Sequence, residues 1–197
     1  MQDRPALFLL IGFSGTGKLT VAKALRSRLT ERGKPVRLVD NHYVNNPIFG
    51  LVENDGVRPL PAGTWDRVGE VREAIVRTVE TLSPRDWSFI FTNDLTDSPE
   101  ERAWADRLAE VAGNRGSRFV PVRLLCEVEE LCRRIASAER RVLMKSTDAD
   151  WIRLRAATQQ VLDPGWSSTL TLDITSMPPG ETADRILSHI DTLPTSI

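Results

Sequence analysis

Two hydrophobic periods alternate along the chain. Ala6 to Ile11 is a continuous apolar run, the pattern of a strand buried on both faces. Val21, Ala22, Leu25 and Leu29 then share one face of a helix, which Gly33 and the following Lys34-Pro35 should stop. Val36, Leu38 and Val39 predict a second strand ending at Asp40. Asn41 to Gly63 is rich in Asn, Pro and Gly and reads as irregular, with Phe49, Leu51 and Val52 forming a short helix or a packed flap. Val68, Val71, Ile75, Val79 and Leu82 keep helical spacing behind a cap at Thr64 or Asp66. Trp87 to Phe91 predicts a third strand, running out into Thr92-Asn93-Asp94. Ser98-Pro99-Glu100-Glu101 carries three helix-start signals together, and Trp104, Leu108 and Val111 give that helix its apolar stripe. Arg118 to Cys126 predicts a fourth strand, with Pro121 expected at its entry because proline cannot donate to a ladder. A helix with Val128, Leu131 and Ile135 follows; Leu170, Leu172 and Ile174 predict a fifth strand; Ala183, Ile186, Leu187 and Ile190 mark a closing helix. Strands alternating with helices predict an α/β fold with a parallel sheet covered on both faces.

Length and charge narrow the function classes. The 197 residues suit a single domain, 1–197. The formal net charge of −1 offers no general attraction to nucleic acid or to an anionic membrane. No apolar run is long enough to span a bilayer, and the N-terminal segment does not read as a signal peptide. Cys126 and Cys132 lack metal-ligand spacing and are expected to be reduced in a cytoplasmic protein.

The chemistry concentrates between the first strand and the first helix, at Gly12-Phe13-Ser14-Gly15-Thr16-Gly17-Lys18-Leu19-Thr20. Glycines allow a loop to wrap a phosphate closely, the helix N-terminus adds partial positive charge, and Lys18 reaches the outer phosphates. Gly12, Ser14, Gly15, Thr16, Gly17, Lys18, Leu19 and Thr20 are therefore the candidate nucleotide-binding residues. Leu19 stands where a Mg²⁺-holding Ser or Thr is usual, and Thr20 follows it. Thr20 and Asp94 are the candidate metal residues, acting through water; Asn93 competes with Asp94 for the same edge.

Parallel strands bring Asp40 to the edge that carries the loop. Asp40 is the candidate base or acceptor-orienting group, or else a turn cap. His42 is either an acceptor contact or an exposed loop histidine. Arg133, Arg134, Arg140, Arg141 and Lys145 follow the fourth strand. They read either as a phosphate-closing lid over 133–151, with Arg133, Arg134 and Arg140 catalytic, or as a solvated face paired with nearby glutamates.

The Lys-x-Thr ending of the loop resembles that of adenylate kinase. The chain as a whole resembles the P-loop small-molecule and nucleotide kinases, such as adenylate kinase, shikimate kinase, gluconate kinase and chloramphenicol phosphotransferase. The resemblance implies a five-stranded parallel sheet in the order 2-3-1-4-5, an acceptor segment over 41–65 and a helical lid. The Asp40–His42 triplet looks like the acceptor-side Asp of the smaller metabolite kinases. The Asp-Gly-Phe-Pro of adenylate kinases and the triple glycine of shikimate kinases are missing, so the acceptor is not named. The implied activity is transfer of the γ-phosphate of ATP, with Mg²⁺, to a hydroxyl of a metabolite, nucleoside or antibiotic by a monomer or homodimer. The alternative is a non-catalytic nucleotide-binding regulatory or resistance protein. A GTPase switch is disfavoured because no Asn-Lys-x-Asp pattern occurs.

Overall fold

The computed structural model describes residues 4–54, 58–136 and 148–193. Five parallel strands lie in the order β2-β3-β1-β4-β5: β1 (Ala6–Ile11), β2 (Val36–Asp40), β3 (Ser88–Asn93), β4 (Arg118–Leu125) and β5 (Leu170–Asp173). The expected parallel sheet and strand order are both present. Every residue of central β1 is buried, and successive side chains enter different cores. Leu7, Leu9 and Ile11 pack with α3 (Thr64–Thr81), α4 (Pro99–Asn114), α5 (Val128–Ile135) and α6 (Ala149–Thr158). Phe8 and Leu10 pack with α1 (Lys18–Glu31) and α7 (Pro179–Thr192). The last residues of β2 and β1 pair with the last two of β3, as Asp40↔Thr92 and Ile11↔Asn93, which gathers three chain exits at one sheet edge.

Five details depart from the sequence reading, one being that α3 is capped at Gly63, at φ 79° and without a side-chain cap, rather than at Thr64 or Asp66. The stretch expected to be irregular begins instead as helix α2 (Asn41–Phe49), with no gap after β2. Its N-cap is Asp40, whose side chain accepts from the N–H of His42 at 3.4 Å, and that local bond outweighs the turn propensity of Asn and Pro. Leu82 lies beyond the end of α3 and is 77 % exposed, so it is not part of the stripe. Pro121 sits inside β4, in register with Leu9. The ladder to β5 starts one residue later, at Val122, so on that side the missing N–H interrupts nothing. Helix α6 was not predicted as a separate element; the Asp148 side chain caps it through the N–H groups of Asp150 and Trp151.

Ion pairs fix α3 against α4. Arg107 reaches Glu80 at 2.7 Å and Glu73 at 3.2 Å, and the fork of donors holds its pKa above the ordinary arginine value. Behind them, buried Arg115 donates to the carbonyls of Val79, Ser83, Pro84 and Trp87, pinning the turn that leads into β3. Arg115→Ala leaves these carbonyls short of a charged donor and opens a void under the Phe89 ring. It should destabilise the fold by about 3 kcal/mol, read as a lower urea midpoint at unchanged m-value.

Candidate active site

The glycine-rich loop leaves β1 and turns into α1 over six residues, 12–17. Gly15 and Gly17 have φ of 92° and 97°, a region that other residues rarely adopt. A Cβ on Gly12 would lie 2.7 Å from the Leu124 carbonyl oxygen, and one on Gly15 would lie 2.8 Å from Ile135 Cγ2. The loop is thus pressed against β4 and α5, and the glycines are needed for close packing as well as for φ. Thr16 is buried and closes the turn on itself, its Oγ1 donating to the Phe13 carbonyl at 2.6 Å. Lys18 Nζ donates to the carbonyls of Gly12 and Phe13 at 2.6 and 2.9 Å, which holds the ammonium over the loop. No side chain caps α1, so its first N–H groups lack intrahelical partners at the point where the loop would receive an anion. Ser14 and Leu19 are half-buried and Thr20 is exposed on the first turn of α1.

The arginines after β4 divide. Arg134 turns inward: Nη1 donates to Thr16 O at 2.9 Å, Nη2 to Ile174 O and Thr175 O at 3.1 and 2.8 Å, and Nε to Glu130 at 2.7 Å. It ties the loop to the segment after β5. Arg133 turns outward and forks onto Glu130 with two contacts of 2.6 Å, in the arrangement of a solvated ion pair. Together the two guanidinium groups hold the Glu130 carboxyl at about 2, well below its ordinary range. Arg140, Arg141 and Lys145 lie outside the described residues, as does most of the expected lid.

At the other side of the loop, Asp40 is buried and accepts from Thr92 Oγ1 at 2.6 Å, while Thr92 in turn accepts from the Asn41 N–H at 3.1 Å. His42 Nδ1 lies 3.3 Å from Asn46 Oδ1. Gly12 N–H donates to the Asn93 carbonyl, so Asp94, the next residue, lies beside the root of the loop. Asp94 Oδ2 accepts from Arg155 Nη1 at 2.9 Å; its buried Oδ1 has no partner. Arg155 also lies over the Phe13 and Trp151 rings, at 5.2 and 5.0 Å.

Beside this edge a small cleft, with free space for about one water, lies between β2, β3, α2, α3 and α4. Val39, Val44, Ile75, Val76 and Phe91 give it apolar walls; Asn41, Thr92, Asn93, Arg72 and Trp104 give it polar atoms. Arg72 and Arg155 were not among the sequence candidates. Each had one signal. Arg72 stands four residues from both Val68 and Val76, inside the buried stripe of α3. Arg155 stands three residues after Ile152, the buried residue of α6.

No protein-family model matches the chain, and no curated protein matches it. Solved structures do. The APS kinase CysC of Mycobacterium tuberculosis, in complex with AMPPNP and APS, is 15% identical, with 96% of this chain and 99% of that chain covered and a TM-score of 0.63. A gluconokinase from Sinorhizobium meliloti 1021 is 19% identical, over 96% of this chain and 94% of that chain, at a TM-score of 0.63. Chaetomium thermophilum Kti12, in complex with ADP-AlF3, is 15% identical, over 95% of this chain and 99% of that chain, at 0.64. Strand order, the glycine-rich loop with Lys18 and these likenesses agree that the chain has the fold of the P-loop nucleotide kinases.

Proposed function

We propose that the chain is an ATP-dependent phosphotransferase that moves the γ-phosphate to a hydroxyl of a small molecule. The observation that carries this reading is a two-part site on one sheet edge. A glycine-rich loop with Lys18 bonded across its carbonyls stands near a small cleft on the same edge, and Asp40 accepts from Thr92, which with Asn93 lines that cleft. A protein that only holds a nucleotide needs the loop; a transferase needs both. The likeness to kinases of small substrates supports the same division.

Phosphoryl transfer depends on alignment and on charge stabilisation more than on covalent help. Lys18 would exchange a carbonyl contact for a phosphate oxygen. Arg134, committed to three backbone carbonyls and Glu130, would act by holding the loop's shape. Asp40 would orient the acceptor hydroxyl and take its proton. The acceptor segment 41–65 would cover the cleft, and the lid over 133–151 would close the phosphate side.

The residues present fit a Mg²⁺ held chiefly by phosphate and water. Among the described residues no group of three metal-ligating side chains occurs, yet Asp94 Oδ1 is buried beside the loop root without a partner. Mg²⁺ commonly takes only one or two protein carboxylates with substrate phosphates. When bound it would neutralise charge that develops on the phosphates. Asp94→Asn should therefore raise the Mg²⁺ concentration needed for half-maximal turnover about tenfold, and an unchanged titration would remove Asp94 from the metal site.

One observation favours the second reading, a nucleotide-binding protein without transfer. Both Asp40 oxygens already serve the fold, one toward Thr92 and one as the cap of α2. A screen of small hydroxylated compounds for ATP consumption with Mg²⁺, with Lys18→Ala as control, separates the two. Turnover with any compound that the variant loses supports the transferase; tight ATP binding with no consumption throughout supports the binder.

A further inference from the structure

Asp94 follows the last residue of β3, at the root of the glycine-rich loop, and its carboxylate is only half used. Oδ2 accepts from Arg155 Nη1 at 2.9 Å, while Oδ1 is shut from solvent without a hydrogen-bond partner among the described residues. Arg155 has the fork to serve both oxygens, yet its Nε goes to Gln159 Oε1 at 2.9 Å instead. A pair made through one contact forgoes the strength of the bidentate form, and the buried oxygen left over weakens it further. Arg155 thus covers Asp94 without saturating it, and a metal reaches this carboxylate only where Arg155 now sits.

Arg155 has a second set of contacts. Its guanidinium lies 5.2 Å from the Phe13 ring and 5.0 Å from the Trp151 ring, so the cation is held between the loop and α6. Phe13 is also the residue whose carbonyl accepts from Lys18 Nζ at 2.9 Å. One line of contacts therefore runs from Lys18 through Phe13 and Arg155 to Asp94. The Asp94 and Arg155 side chains are 20 % and 14 % exposed. Charges set that far inside interact more strongly than in water, so a guanidinium and a metal cation on one carboxylate repel each other.

We propose that Arg155 is a built-in counter-ion for Asp94: it occupies the carboxylate while the loop is empty and gives way to the metal that arrives with a nucleotide. The inference rests on the loop's taking a metal-bound nucleotide, which both readings above share, and it adds a regulatory step at that site. Free Mg²⁺ meets a carboxylate that is already paired and has too few other protein ligands to displace Arg155. Mg²⁺ on a triphosphate brings phosphate oxygens with it and needs only the one carboxylate. When Lys18 leaves the Phe13 carbonyl for a phosphate, the ring beside Arg155 loses one of its fixed points at the same moment. The contact works as an autoinhibitory latch that opens for the loaded nucleotide, not for metal or nucleotide alone.

The test is calorimetry of AMPPNP on the full chain, once with Mg²⁺ and once with EDTA. Arg155→Gln removes the competing charge. It should tighten Mg²⁺-AMPPNP binding about tenfold and leave metal-free AMPPNP within about twofold. In the Asp94→Asn background the same substitution should change neither value, since no carboxylate is left to free. Trp151 gives an independent reading with the latch intact. Its emission should shift when Mg²⁺-AMPPNP draws Arg155 from its ring and stay put with AMPPNP and EDTA, and the shift should vanish in Trp151→Phe. This measurement serves if Arg155→Gln does not fold. Mg²⁺-AMPPNP binding that is unchanged or weaker in Arg155→Gln overturns the proposal, weaker binding making Arg155 a phosphate contact instead. So does a gain of equal size with EDTA, an emission shift that needs no metal, or no shift at all. Absence of AMPPNP binding to the parent in both conditions sinks the nucleotide reading and the latch with it; binding with an unchanged ratio sinks the latch alone.

Discussion

Lys18→Ala should lower Mg²⁺-ATP affinity by at least about 100-fold and leave the fold in place. The side chain contributes no core packing; its ammonium spans the Gly12 and Phe13 carbonyls, both in the loop itself. Those carbonyls have water as a substitute partner, whereas the phosphates of a bound nucleotide have no other full positive charge on the loop. Charge-assisted hydrogen bonds run to about 1.5–3 kcal/mol, and two of them account for the expected loss. Calorimetry with a nonhydrolysable analogue, next to a urea melt, reads both quantities. A variant that binds the nucleotide as tightly as the parent would remove the loop from the site altogether.

Asp40→Asn should cut kcat by about 10²–10⁴-fold with ATP affinity almost unchanged. The substitution is well matched to the surroundings. Asparagine caps helices as well as aspartate does, so its one amide oxygen keeps the bond to the His42 N–H, while its NH2 replaces the second oxygen and donates to Thr92 Oγ1 instead of accepting from it. What disappears is the charge and the capacity to take a proton. Steady-state kinetics with the acceptor identified by the screen, at saturating ATP, isolates that loss. Turnover near the parent value would reduce Asp40 to the cap of α2, and the second reading would gain.

The fold was legible wherever one period ran without competition. β1, β3 and the stripes of α1, α4 and α7 all appear as expected, because a buried parallel strand and an amphipathic helix leave unmistakable spacing. Helix α2 was not legible. Asn41, Asn45, Asn46 and Pro47 each favour turns, and the cap that decides the matter is the same Asp40 that also drew a chemical reading. Sequence spacing could bring the doubled arginines to one helix, but not say that Arg134 would turn toward Thr16 while Arg133 turned toward solvent. That choice depends on the carbonyls of Ile174 and Thr175, forty residues away. Arg72 was missed for a related reason: an arginine among valines reads as the polar edge of a stripe until a cleft is seen beside it.

The central position of β1 has a consequence for how unevenly the molecule opens. Its amides are sheltered by strands on both sides and by a core on each face, so they should exchange hydrogen only when the whole domain unfolds. The glycine-rich loop hangs directly from that strand. Helix α2, in contrast, follows edge strand β2 and leaves Tyr43 mostly exposed, so it should open in smaller, cheaper steps. On the proposed function, the half that would grip phosphate is thereby the rigid half, and the half beside the cleft is the one whose sequence could drift without loosening what would hold the nucleotide.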